Sequence, residues 1–250
     1  MTDAAARKGF SNSRGAGRPP ARLTWKKVQH VARPAHDACH PVHVTMRAVR
    51  GLDSLRGFPV ARAIGLAFHG AKRRGRRVVQ FTIQDNHLHL IFEGDDRRSL
   101  MRDIRGVAIA IAKRVNRALR RKGQVFDDRY HQRALTEPRT VRATLVYVLM
   151  NHKKHGVPGP DIDPMSSARW FDGWRVRQAP PTTPSPVTAP RTKLAATSWR
   201  KSGLIDPTAR PKSAPLTAED IASMASCSHP LEYVLPDWIK AQGLVSITPP

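Results

Sequence analysis

Apolar and polar positions alternate along Val42-His43-Val44-Thr45-Met46, the two-residue period of a half-buried strand. A second apolar run, Val78-Val79-Gln80-Phe81-Thr82-Ile83, precedes His87-Leu88-His89-Leu90-Ile91-Phe92, with Asp85-Asn86 between them. Asp and Asn tolerate turn geometry, so the two runs predict a hairpin. On its second strand Leu88 and Leu90 face a core, which leaves His87 and His89 side by side on the opposite face.

Elsewhere the period lengthens to that of a helix. Val60, Ile64, Ala67 and Phe68 mark an apolar stripe ending near Ala71. Asp53 or Ser54 could cap this helix, with Pro59 either interrupting its first half or opening a second one. Leu100, Ile104, Val107, Ala108, Ile111, Val115 and Leu119 make a longer stripe that starts after Asp96. Val125 to Leu135 is a polar strand or extended loop. Glu137-Pro138 then opens a last helix. It turns Val141, Leu145, Val148 and Leu149 to a core, places Tyr147, Asn151 and His155 along another face, and ends near Gly156-Val157-Pro158.

The order strand, helix, strand, strand, helix, strand, helix predicts an α+β protein: a ferredoxin-like split βαβ antiparallel sheet with helices on one face. In that arrangement the first and third strands are central. A final helix laid across the sheet would bring Tyr147 to the two histidines, a step that rests on fold analogy. Residues 39–157 form this domain. Residues 1–38, rich in Gly, Pro, Arg and Ala, read as a basic disordered arm. Prolines from Pro158 onward make 158–193 a linker, with Trp170-Phe171-Asp172-Gly173-Trp174 docking on the domain. Residues 194–250 are a partly ordered extension, with hints of order around Trp199, after Thr217 and at Tyr233 to Ile239.

Charge narrows the partner. Lys and Arg number 43 against 19 Asp and Glu, a formal charge of +24. Such a chain attracts polyanions, nucleic acid first among them. Cations cluster at Arg73, Arg74, Arg76 and Arg77, again at Arg114, Arg117, Arg120, Arg121 and Lys122, and at Lys153 and Lys154. All are candidate phosphate contacts, and several also suit the C-terminal ends of helices, where cations meet the dipole. Aromatics are 6 % of the chain, which argues against a stacking-dominated single-strand platform. Only Cys39 and Cys227 are present, without zinc spacing or a disulfide framework. No apolar run is long enough for a bilayer and no secretory leader is evident, so a cytoplasmic protein with no membrane partner is expected.

His87-Leu88-His89 on a strand, preceded by Asn86, together with Tyr147-Val148-Leu149-Met150-Asn151 on a later helix, resembles the HUH single-tyrosine transposases. The REP-associated tyrosine transposases of bacterial genomes are the branch that looks most similar, over residues 40–157. Asp85 and His152 stand where that family usually has proline, which bears on loop shape and substrate. The resemblance implies Tyr147 as nucleophile, and His87, His89 and Asn151 as ligands of Mg²⁺ or Mn²⁺. It also implies single-stranded or hairpin DNA as substrate, with cleavage through a 5′-phosphotyrosine. Tyr130 and Tyr233 are the rival tyrosines. A hairpin-binding regulator that does not cleave, and an RNA-binding sheet, are the other functions that fit; monomer and homodimer both stay open.

Overall fold

A computed structural model of the chain describes residues 35–127, 129–154, 161–209 and 211. The basic arm up to residue 34, His155, and the tail with Tyr233 lie outside the described residues. Strand β1 (Val42–Arg47) leads to helix α1 (Val60–Arg73), the hairpin β2 (Val78–Ile83) and β3 (His87–Phe92), helix α2 (Arg97–Ala118), strand β4 (His131–Ala134) and helix α3 (Pro138–Leu149). A short helix α4 (Asn151–Lys154) follows. The strands form one antiparallel sheet in the order β2-β3-β1-β4, which is the split βαβ topology with β1 and β3 at its centre.

Both crossover helices cover one face, as the pattern predicts. Val42, Val44 and Met46 of β1 and Leu88, Leu90 and Phe92 of β3 join Ile64, Phe68, Ile104, Val107 and Ile111 in one apolar core. α1 starts after Pro59 rather than at Asp53 or Ser54. Ser54 instead donates to the Asp85 carboxylate at 2.7 Å, tying the loop before α1 to the β2–β3 turn. α2 begins where the sequence places it. The Asp96 side chain accepts from the backbone N–H of Arg98 and Ser99, and the Ser99 side chain returns the bond, a reciprocal N-cap.

The other face is covered by α3 and by residues C-terminal to it. Val141, Leu145, Val148 and Leu149 pack with Val79, Ile91, Phe171, Trp174, Trp199 and Ile205 into a second core. α3 is therefore buried on two sides, against the sheet and against these aromatics. Much of residues 161–209 has the proline content of a linker, yet it is fastened to the β2 edge of the sheet. Ser166 bridges Thr82, and the backbone N–H groups of Ile83 and Ser167 donate to the carbonyls of Met165 and Phe81. Thr188 N–H donates to the Val78 carbonyl. Helix α5 (Lys193–Ala196) and a 3-10 turn (Ser198–Ser202) seat the buried Trp199 beneath α3.

Candidate active site

β3 carries the imidazoles because it lies inside the sheet and alternates strictly. Its even positions go to the apolar core and its odd positions, His87, His89 and Ile91, to the α3 side. The β1 register places Thr45 opposite His89 and Arg47 opposite His87, and directly opposed residues share a face. His43, two positions from Thr45, is on that face too. β4 continues it, with His131 opposite Thr45 and Arg133 opposite His43.

α3 brings the phenol. Tyr147 is 1 % exposed, and its Oη lies 3.1 Å from His89 Nε2. The Nε2 atoms of His87 and His89 are 2.9 Å apart. On the far sides of the two rings, His87 Nδ1 lies 2.7 Å from Asn86 Oδ1. His89 Nδ1 lies 3.1 Å from Thr45 Oγ1 and 3.2 Å from His43 Nε2. The Tyr147 ring stands at a steep angle to that of His89, with centroids 4.9 Å apart. Thus a tyrosine and a histidine pair 58 positions apart in sequence meet in one buried cluster.

The donor chemistry suits a divalent cation. An amide oxygen can only accept, so the Asn86 contact puts the His87 proton on Nδ1 and leaves a lone pair on Nε2. That lone pair faces the second imidazole. Asn151 opens α4 one turn after Tyr147, across the break at Met150. It is fully buried, and neither Oδ1 nor Nδ2 has a hydrogen-bond partner among the described residues. A buried amide without partners is costly, and a cation would satisfy its oxygen. No cluster of three or more His, Cys, Asp or Glu among the described residues could hold a metal. Two imidazole nitrogens together with a neutral amide oxygen such as that of Asn151 would make a set of N and O donors of the kind Mg²⁺ or Mn²⁺ accepts.

No protein-family model matches the chain, and no curated protein matches it. Among solved structures it is similar to a REP-associated tyrosine transposase bound to a REP hairpin, with a TM-score of 0.45 and 18% identity over 56% of this chain and 82% of that one. It is also similar to a candidate transposase from Deinococcus radiodurans R1, with a TM-score of 0.34 and 14% identity over 54% of this chain and 100% of that one. Both likenesses concern the path of the chain, and the chemistry of the site rests on its own geometry.

The cation clusters stand apart from the imidazoles. Arg73 ends α1, Arg74 caps it, and Arg76 and Arg77 lead into β2 at the Phe92 end of the hairpin. That end is roughly 16 Å along β3 from His87, at about 3.3 Å per residue. Arg74, Arg76 and Arg77 line a cavity of about 360 Å³ with Glu93, Asp95, Ser99, Arg102 and Asp103. Burial pushes the Asp103 carboxyl up, against the pull of Arg102 and Arg76. Arg77 pairs with the buried Glu93 carboxylate at 2.8 Å. Arg114 and Arg117 lie on α2, on the opposite face of the sheet from the histidines, and Arg120, Arg121 and Lys122 follow that helix. Lys153 donates to Asp161 and to the Pro207 carbonyl; Lys154 ends α4. Tyr130 is partly buried against the α1–α2 core. Sequence reasoning singled out neither Thr45 nor His43 nor Arg47. The signal for them was the alternation of the first strand, where Thr45 and Arg47 fall opposite His89 and His87 and His43 falls opposite Ile91 on the same face.

Proposed function

We propose that the chain is a single-stranded DNA transposase that nicks and rejoins DNA, at hairpins, through a covalent 5′-phosphotyrosine on Tyr147. The single observation that carries this reading is the contact of Tyr147 Oη with His89 Nε2, itself paired with His87 Nε2. A phenol buried on a helix needs no imidazole pair to be stable. The coincidence of the three groups suits phosphoryl transfer, in which catalysis is mainly positioning and charge stabilisation.

In the cleavage step Tyr147 Oη attacks the phosphorus. The phenol loses its proton as the O–P bond forms, because its ordinary pKa is about 10. The bond to the 3′-oxygen breaks, and that oxygen takes up a proton as a free 3′-hydroxyl. The phosphodiester energy is kept in the tyrosine ester, so the reverse attack by a 3′-hydroxyl joins strands without ATP. His87, His89 and Asn151 would hold Mg²⁺ or Mn²⁺, which supplies Lewis-acid stabilisation of the phosphate charge. Arg47, opposite His87 on the same face, is placed to attract the incoming phosphate. The cations of α1 and α2 would hold the flanking duplex by its backbone. In a bacterial cytoplasm such chemistry would move a mobile element or small dispersed repeats.

One observation favours a second reading, a hairpin-binding protein that does not cleave. Tyr147 and His89 are 1 % and 2 % exposed, so a phosphate reaches Oη only when the crevice between α3 and the sheet opens. The two readings part in a denaturing gel of 5′- and 3′-labelled hairpin DNA incubated with protein in Mg²⁺ or Mn²⁺. Cleavage predicts a protein band bearing the DNA 5′ end, lost by at least about a thousand-fold in Tyr147→Phe. Tight binding with no such band in either metal overturns the enzyme in favour of the binder.

A further inference from the structure

We propose that the unpaired strand flanking a DNA hairpin reaches Tyr147 across the β1–β4 half of the sheet, where Arg133 and His131 of β4 hold its backbone. This rests on the reading of the chain as a protein that acts on hairpin DNA, and adds where the single strand lies.

The face that bears the imidazoles opens in one direction. Register sets Thr82, His89, Thr45 and His131 in one row, and Gln80, Ile91, His43 and Arg133 in the next. In both rows the β2 and β3 members are buried, the β1 member is half-buried and the β4 member is exposed. The cause is the place of the cover. α3 packs on Val79 and Ile91, and the segment after it is bonded along β2. Ala143, one turn before Tyr147, is exposed as well. The crevice beside the phenol therefore opens toward β4.

The open side is cationic. None of the four strands carries Asp or Glu, while His43, Arg47, His131 and Arg133 share this half of the face. His131 lies two strands from His89, about 10 Å at ordinary strand spacing. That is within reach of the phosphates next to one attacked by Tyr147. Its imidazole offers an N–H in either charge state, and the Arg133 guanidinium offers a fork of donors. A crevice leading to a phenol that is 1 % exposed admits one chain of nucleotides and not a paired stem, and a cationic groove follows such a backbone. The other cations suit the stem: those of α2 lie on the opposite face, and the Arg76 cluster leads into β2, at the opposite edge of the sheet. Charged side chains on an edge strand also discourage pairing with other chains, a role without dependence on DNA, and the test separates the two.

Wild type first selects its tightest hairpin from a pool with a randomised stem and loop and fixed thymidine flanks. Binding of that hairpin, with and without its flanks, is then measured by fluorescence anisotropy on the full chain in EDTA, so that the strand stays whole. Flanks are expected to tighten wild-type binding. Arg133→Glu places a like charge against the backbone and is expected to weaken the flanked probe at least about tenfold, with the unflanked hairpin near wild type. Arg177→Glu makes the same charge change at an exposed position of the C-terminal segment and is expected to keep the gain from the flanks. A photoreactive thymidine in the flank should crosslink to β4 in wild type, a reading that needs no variant. A flank gain that survives Arg133→Glu, or is lost equally in Arg177→Glu, overturns the proposal. So do crosslinks to α1 or α2, and so does a loss in Arg133→Glu that is equal with and without flanks. A hairpin bound without any gain from its flanks sinks this proposal alone. Selection of no hairpin sinks the DNA reading, and the proposal falls with it.

Discussion

The two faces of the sheet are made by the same strands and have opposite characters. On the α1–α2 face, β1 and β3 present Val42, Val44, Met46, Leu88, Leu90 and Phe92, all buried and apolar. On the α3 face, the intervening positions are His43, Thr45, Arg47, His87 and His89, with Ile91 joining the aromatic cluster. One residue of register separates a dry core from a site rich in titratable groups. The faces also differ in how they are closed. The first is covered by helices that the βαβ connections deliver. The second depends on α3 and on a C-terminal stretch returned to the sheet edge by specific polar clamps.

The strongest way to break that difference is to cut a clamp. Arg56 and Asp163 form a bidentate pair with contacts of 2.9 and 2.8 Å, and Arg56 also donates to the Ile83 carbonyl. Both side chains are buried. Removing one partner of a buried pair leaves the other charge uncompensated, so Asp163→Ala is expected to cost about 3–5 kcal/mol. Because Asp163 holds the segment that borders β2, hydrogen exchange should rise first at Phe81, Ile83 and Ser167. Urea unfolding monitored by tryptophan fluorescence reads the total. A loss below about 1 kcal/mol would show that this face does not depend on the clamp.

A second, somewhat smaller effect separates the faces by function. Leu90→Ala removes a fully buried side chain from the first core and should cost about 2–5 kcal/mol. DNA cleavage per folded molecule should be preserved at low temperature. His87→Ala, three positions away, should leave the unfolding midpoint close to wild type and abolish cleavage. Reversed outcomes, with catalysis following Leu90 and stability following His87, would mean that the assignment of the two faces is wrong.

The legible part of this molecule is the part in which local period and global fold agree. The strict alternation in β1 and β3, the seven-position stripe of α2 and the Asp96 cap each specify one structure without distant help. The pairing of His87 with His89 followed from alternation alone. That Tyr147 reaches them needed a topology, since no spacing in the chain connects position 147 to position 89. The covering of α3 was less legible. Prolines at 164, 180, 181, 184 and 186 carry the composition of a linker, while residues between and beyond them, Met165, Ser166, Ser167 and Thr188, are bonded to the β2 edge. The clamps are single long-range contacts, such as Glu93 accepting from Arg77, from the backbone N–H of Arg191 and Thr192, and from the Thr192 hydroxyl. Such contacts leave no periodic trace. The burial of Val141, Leu145, Val148 and Leu149 around more than one side of α3 was the available hint that two surfaces cover it.

The smallest expected effect concerns the apolar face, where titration rather than packing is changed. His69 lies half-buried near the end of α1. Its burial first, and then the nearby charges of Arg73 and Lys72, hold its pKa below the ordinary 6.5. Between the lowered folded value and 6.5, the unfolded chain binds a proton that the native chain does not. Stability therefore rises with pH through that window, and it is lost as pH falls from 6.5 toward the folded value. Below the folded value this group adds no further slope. His69→Gln removes the titration while keeping a polar side chain, so its urea midpoint should fall less than that of wild type between pH 6.5 and 5. Contributions from groups outside α1 are common to both proteins and cancel in the comparison. If the two profiles stay parallel across this window, His69 contributes no pH dependence to the stability of the fold.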